Sequence, residues 1–138
     1  MNNISTCSTT APGPGSVNSM YSNYKGFVTP ATVSQGQSVP FSLTLGYCGS
    51  SAWSNVAAIY IDYNQDGNFT GTGELGYQKT YASGTYPSFV VSGNFTVPLT
   101  AALGTTAMRV VYTEASTVSP CGTYSWGETE DYLIDIVA

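Results

Sequence analysis

Apolar and polar residues alternate along most of the chain, and the alternation has the period of two that belongs to half-buried strands, not the 3.6 of helices. Residues 42–45, 56–61, 89–97, 107–114 and 132–137 read in this way as strands. Segments rich in Gly, Pro, Asn and Ser separate them and read as turns. The one stretch with helical character is a short turn at 99–103, directly after Pro98. Roughly eight short strands at this spacing predict an all-β fold, an antiparallel β-sandwich of jelly-roll type. Residues 1–15 have no apolar pattern and contain two Pro-Gly steps, so they are expected to form a flexible N-terminal arm ahead of a domain at 16–138.

Composition narrows the chemistry. The 138 residues suffice for one domain with its own core and not for two. Charged residues make up 8%, and three Lys and Arg against eight Asp and Glu leave a net charge of −5. Such a surface repels phosphate, which argues against nucleic acid and against anionic membrane as partners. The chain has no His, so the commonest general base and the commonest transition-metal ligand are both missing. Ser and Thr supply a quarter of the residues, with 11 Tyr and 15 Gly. A surface kept soluble by hydroxyls instead of charges points to a secreted, extracellular module. The first residues lack the basic and apolar regions of an export signal, so the expectation is an excised piece of a larger exported protein. Cys7, Cys48 and Cys121 allow three single pairings; Cys48 and Cys121 each lie beside Gly in loop-like sequence and are the expected disulfide, with three free thiols as the alternative.

Most of the acidic residues fall in two short windows. In Asp62-Tyr63-Asn64-Gln65-Asp66-Gly67-Asn68, oxygen-bearing side chains recur at every second position and are followed by Gly. This is how an EF-hand-type loop wraps oxygens around calcium: Asp62, Asn64 and Asp66 point inward, Gly67 permits the sharp turn, and Asn68 offers its backbone carbonyl. Phe69 would anchor the loop to the core. The twelfth position, where a bidentate acid belongs, is Gly73, and Glu74 comes one residue late. Either the loop carries an extra residue or an acid from elsewhere completes the shell. The second window, Gly127-Glu128-Thr129-Glu130-Asp131-Tyr132, is a source for that acid. Strand alternation through Tyr132, Ile134 and Ile136 places Glu128 and Glu130 on the inner side and Asp131 on the outer. Glu130 and Asp131 are thus candidate metal ligands, with a salt bridge to Arg109 or a solvated strand start as alternatives. Oxygen ligands without His favour calcium over zinc.

The same windows carry a resemblance. The chain resembles the GEVED domain, whose name matches Gly127-Glu128-Thr129-Glu130-Asp131 except that Thr129 stands in place of Val. Ile59 to Phe69 followed by Glu74, then Met108-Arg109-Val110 and Pro120-Cys121-Gly122, match the family in order. The resemblance spans about residues 16–137 and implies an all-β accessory module of secreted bacterial multidomain proteins, often joined to hydrolases or adhesin-like regions. It implies no particular activity.

Trp53 and Trp126 both sit in polar, Gly-rich segments, unlike Trp in a core strand. Aromatic faces stack on sugar C–H faces, and Tyr81, Tyr86 and Tyr124 could add to such a surface, with Lys79 accepting an isolated anionic group. Tyr60, Tyr112 and Tyr132 lie in strands and are expected in the core. The resulting expectation is a monomeric, non-catalytic carbohydrate-binding module stabilised by calcium, with a neutral or sparsely charged polysaccharide as ligand and a catalytic domain attached in the parent protein. The alternative is a structural or adhesive module that uses calcium to stiffen contacts between domains.

Overall fold

The computed structural model describes residues 3–5, 16–17, 21–47, 51–82, 86–122 and 124–138. These contain ten strands and no helix: β1 (Asn3–Ser5), β2 (Ser16–Val17), β3 (Tyr21–Asn23), β4 (Ala31–Ser34), β5 (Ser38–Gly46), β6 (Asn55–Ile61), β7 (Leu75–Tyr81), β8 (Ser88–Thr96), β9 (Gly104–Thr113) and β10 (Gly127–Val137). A three-stranded sheet, β1-β5-β8, faces a seven-stranded one in the order β2-β3-β10-β9-β6-β7, with β4 also paired to β10.

Each strand read from the alternation is present, and β10 starts five residues earlier than expected, so that the acidic motif is itself strand. The edge strand β7 escaped the pattern because none of its seven residues is buried, so no buried face imposes an alternation on it. Residues 99–103 form no helix; Ala101 N–H donates to the Pro98 carbonyl in a simple turn. The antiparallel expectation holds for the long pairs β5–β8, β6–β7, β6–β9 and β9–β10, but β1–β5, β3–β10 and β4–β10 are parallel. Alternation reports which face is buried and carries no information about the direction of a neighbouring strand. Asn3–Ser5, the start of the expected arm, runs beside Thr44–Gly46. Residues 6–15 lie outside the described residues.

The core lies between the sheets. Leu43 and Leu45 of β5 and Val91 and Phe95 of β8 meet Ala57, Ile59 and Ile61 of β6, Val110 and Tyr112 of β9, and Tyr132, Ile134 and Ile136 of β10. Each fully buried Ile or Leu here contributes roughly 1.5–3 kcal/mol. All seven residues of β6 are buried, because its other face is covered too. There Ala58, Tyr60, Phe69 and Val111 form a second cluster under Val118 and Tyr124 of the β9–β10 connection. Gly127 allows β10 to lie tight on β9: a Cβ at that position would stand 2.4 Å from the Tyr112 carbonyl oxygen.

Strand direction sorts the connections into two ends. The β5–β6, β7–β8 and β9–β10 connections lie at one end, and the β6–β7 and β8–β9 connections at the other. The seven residues of β6 separate them by roughly 20 Å.

Candidate functional site

The β6–β7 loop is built around Asp62, which β6 delivers as a buried residue. Its two carboxylate oxygens accept the Asp66 N–H at 3.1 Å and the Gly67 N–H at 3.0 Å. Gly67 has φ +85° and Gln65 φ 60°, the left-handed turns that curl the loop back on itself. The far side of the loop is clamped to the β8–β9 connection. Thr106 Oγ1 donates to the Asp62 carbonyl at 2.6 Å, Ala102 N–H donates to the Tyr63 carbonyl at 2.8 Å, and Gln65 Nε2 donates to the carbonyls of Ala102 and Leu103. Phe69 is buried in the outer cluster, under the guanidinium of Arg109 at 4.9 Å from its ring centre.

Glu74, 1% exposed, closes the loop. One of its oxygens accepts the Gly71 N–H at 2.7 Å, and the other is buried without a partner. Carboxylate oxygens of Asp62, Asp66 and Glu74 lie within 4.8 Å of one another, a group that could hold a metal ion. The late acid therefore reaches the site through an extra residue in the loop, and Gly73, at φ +85°, supplies the turn. Asn64 and Asn68 are exposed on the rim. The Asn64 amide donates to Asp66 at 3.0 Å, its oxygen accepts the Asp66 N–H at 2.9 Å, and Asn68 N–H donates to Asp66 at 2.8 Å.

Glu130 and Asp131 do not belong to this group. The register sets Glu130 opposite Val110, two strands away from β6. Glu128 and Glu130 face inward and are fully buried, as alternation requires, while Asp131 faces outward and is nevertheless 1% exposed. Asp131 lies directly opposite Arg109, whose Nε and Nη2 donate to its two oxygens at 2.7 and 2.8 Å. Tyr21 donates its hydroxyl at 2.7 Å, and Lys25 Nζ lies 3.7 Å away. Burial pushes the Asp131 carboxyl up, but the bonds from Arg109 and Tyr21 outweigh it and hold the group below the usual carboxylate range. Burial and the bond to Asp131 push the Tyr21 phenol up to about 12. Asp131 is thus satisfied by side chains alone.

Glu128 accepts from Ser22 Oγ at 3.2 Å, and Glu130 accepts from the Tyr132 hydroxyl at 2.5 Å, with its second oxygen buried and unpartnered. Burial, aided by the neighbouring Glu128 charge, raises the Glu130 carboxyl to about 7 against the pull of the Tyr132 bond.

The other end of the sandwich carries the aromatic residues. Trp53 is 61% exposed, Trp126 54% and Tyr86 46%. The register Val56–Thr113–Gly127 sets the strand starts beside the two Trp residues two strand spacings, about 10 Å, apart. Tyr81 ends β7 at this side, but its ring packs edge-on to Phe89 at 5.5 Å and its hydroxyl meets that of Tyr77 at 2.9 Å. Lys79 lies over the Tyr81 ring at 5.4 Å. Tyr124 is drawn into the outer cluster and shares a 2.6 Å bond with Thr129. Cys121 is exposed with a free thiol; its expected partner Cys48 lies outside the described residues.

The model of the GEVED domain matches residues 56–135, more than half of the chain and both acidic windows. The chain belongs to the GEVED family. GEVED is a family of accessory domains, and its signature here is the start of β10: Gly127 at the tight β9 contact, two inward carboxylates and one outward carboxylate locked to Arg109. Among solved structures, this GEVED domain is similar to the CARDB domain of a Pyrococcus furiosus protein, solved in complex with di-metal ions. The match has a TM-score of 0.50 at 16% identity and covers 78% of this chain and 84% of that one, a likeness of fold. No curated protein matches the chain. Among the described residues of this GEVED domain, no helix is long and apolar enough to cross a membrane.

Two features escaped sequence reasoning. One is the completion of the Asp131–Arg109 pair, itself among the alternatives read from the sequence, by Tyr21, 110 positions away, and by Lys25, which meet it only through strand pairing. The other is a cavity of about 310 Å³ inside the β9–β10 connection. The length of that connection, 114–126, was its available signal.

Proposed function

We propose that this GEVED domain is a non-catalytic carbohydrate-binding module of a secreted bacterial polysaccharide-active protein, held in shape by calcium in the β6–β7 loop. The observation that carries the reading is the pair Trp53 and Trp126, both more than half exposed and both at the same end of the sandwich. Exposed Trp costs solubility unless a ligand uses it, and indole faces suit the C–H faces of sugar rings. Their segments add hydroxyls and amides without charge, in keeping with a neutral or sparsely charged glycan.

Calcium fits the opposite end. Asp62, Asp66 and Glu74 would hold it, and the buried, unpartnered oxygen of Glu74 is the group that most requires a cation. With the loop roughly 20 Å from the aromatic end, the ion would act on the scaffold and not touch the sugar. A non-catalytic role is supported by the burial of Glu128 and Glu130, which leaves no exposed carboxylate pair positioned across a bound chain. Hydroxyl-rich, charge-poor composition supports export, and a monomer attached to a catalytic domain accords with an accessory family.

Affinity electrophoresis against neutral and anionic polysaccharides tests the reading. A neutral polymer should retard the parent, and Trp53→Ala and Trp126→Ala should each lose that retardation while melting as the parent does. Passage of the parent unretarded through every polymer would sink it and turn the aromatic end into a docking face for a neighbouring domain or a surface protein.

A further inference from the structure

We propose that Gly71 makes the β6–β7 loop selective for calcium over magnesium, by fixing the Glu74 carboxylate where it serves a large cation and cannot follow a small one. The inference rests on the calcium reading above and names what sets the choice of ion.

Three glycines punctuate the loop, and two of them answer to the backbone. Gly67 and Gly73 both have φ +85°, and a Cβ at either would meet nothing within 4 Å. They are glycines for the sake of conformation. Gly71 is the reverse case. Its φ lies outside the left-handed range, so its backbone suits any residue, yet a Cβ there would stand 2.8 Å from Cδ and Oε2 of Glu74 and 3.0 Å from Oε1. What Gly71 leaves room for is a carboxylate.

The same residue grips the group it makes room for. Gly71 N–H donates to Glu74 Oε2 at 2.7 Å, and its carbonyl accepts the Glu74 N–H at 3.2 Å. The Glu74 carbonyl in turn accepts the Ile61 N–H at 2.9 Å, which ties the backbone of the acid to the end of β6. Oε1 is left buried and unpartnered on a side chain that belongs to a residue only 1% exposed. A carboxylate oxygen buried without a donor is costly unless a cation meets it. Asp62, Asp66 and Glu74 each bring one oxygen to within 4.8 Å of the others.

Fixed ligands discriminate by size. Calcium accepts oxygens at about 2.3–2.6 Å in irregular arrangements, while magnesium demands a near-ideal octahedron at about 2.0–2.1 Å and gives up its water reluctantly. A loop therefore favours magnesium only if its oxygens can draw in. Here both buried carboxylates are tethered, Asp62 by the N–H groups of Asp66 and Gly67, and Glu74 by that of Gly71. The frame behind them is clamped to the β8–β9 connection through Thr106, Ala102 and Gln65. The oxygens keep their spacing, and the smaller ion keeps its water. Gly71→Ala undoes one tether: the Glu74 carboxylate turns away from the new methyl group, and the fold persists because the atoms displaced are the end of a flexible side chain.

Isothermal titration of the whole domain with calcium chloride and with magnesium chloride tests this on the parent, Gly71→Ala, Glu74→Ala and the double variant, with melting in chelator as the control on folding. The parent should bind calcium more tightly than magnesium. Gly71→Ala should melt in chelator close to the parent and leave magnesium nearly unchanged. Its calcium affinity should fall about tenfold to a hundredfold, the usual loss when a group that orients a metal ligand is removed. Added to Glu74→Ala, it should change neither affinity nor melting, since no carboxylate remains to displace. Should Gly71→Ala fail to fold alone, the double variant should still fold as Glu74→Ala does. The same ratio of calcium to magnesium affinity in Gly71→Ala as in the parent, or an equal loss of calcium affinity or of folding when Gly71→Ala is added to Glu74→Ala, would overturn the role of Gly71 and leave the calcium loop standing. A parent that prefers magnesium would likewise overturn the selectivity, and one that takes up no calcium would overturn the loop reading with it.

Discussion

Substituting Glu74→Gln separates a metal-held loop from one held by its own hydrogen bonds. Gln keeps the volume and can still accept the Gly71 N–H, but it removes one of three carboxylates whose oxygens lie within 4.8 Å. In chelator the parent keeps a buried, unpartnered carboxylate oxygen at Glu74, so the variant should melt no lower than the parent. In calcium the order should reverse. At a free concentration one hundred times its Kd, an ion that binds only the folded state stabilises by about 2.7 kcal/mol. With roughly 2.1 cal/mol/K of unfolding entropy per residue, the 138 residues give about 0.29 kcal/mol/K and a rise of about 9 °C. Losing one carboxylate should weaken binding tenfold or more, which leaves about 1.4 kcal/mol and a rise of about 5 °C or less at the same calcium. Differential scanning calorimetry with and without chelator reads both numbers. An undiminished calcium-induced rise in the variant, or a flat response in the parent, would refute the assignment of Glu74 and of the loop respectively.

Three further outcomes follow from the buried groups. Arg109→Met strips Asp131 of its bidentate partner and should cost about 3–5 kcal/mol in urea unfolding, with the double variant Arg109→Met, Asp131→Asn recovering part of the loss; equal stability of Arg109→Met and parent would contradict the pair. Gly127→Ala must push β10 off the Tyr112 carbonyl and should cost about 2 kcal/mol or more, seen as a lower denaturant midpoint at unchanged slope. Glu130 has a folded pKa of about 7 against an ordinary 4.5, so the folded state holds a proton that the unfolded chain has released. Its stabilising contribution is complete below about pH 4.5 and is lost as pH rises to about 7, a fall of about 3 kcal/mol that Glu130→Gln should flatten; a parent whose stability holds level across that window would contradict the assignment.

Much of this molecule was written locally in its sequence. The period-two pattern of β5, β6, β8, β9 and β10 sets which face is buried, since strand geometry converts parity directly into side, and it correctly turned Glu128 and Glu130 inward. The Asp62–Gly67 spacing likewise dictated a turn that folds its oxygens together, because Asx bonds and left-handed glycine conformations act within five residues. Pairing over long separations was beyond such signals. The parallel strands β3 and β4, the bond of Asp131 to Tyr21 across 110 positions and the exclusion of Glu130 and Asp131 from the loop all depend on which strand edges meet. The same is true of the two ends: alternation cannot say that Trp53 and Trp126 share one end while Asp62, Asp66 and Glu74 occupy the other. That separation is fixed by strand direction and register, properties of the assembled sheets and of no single segment.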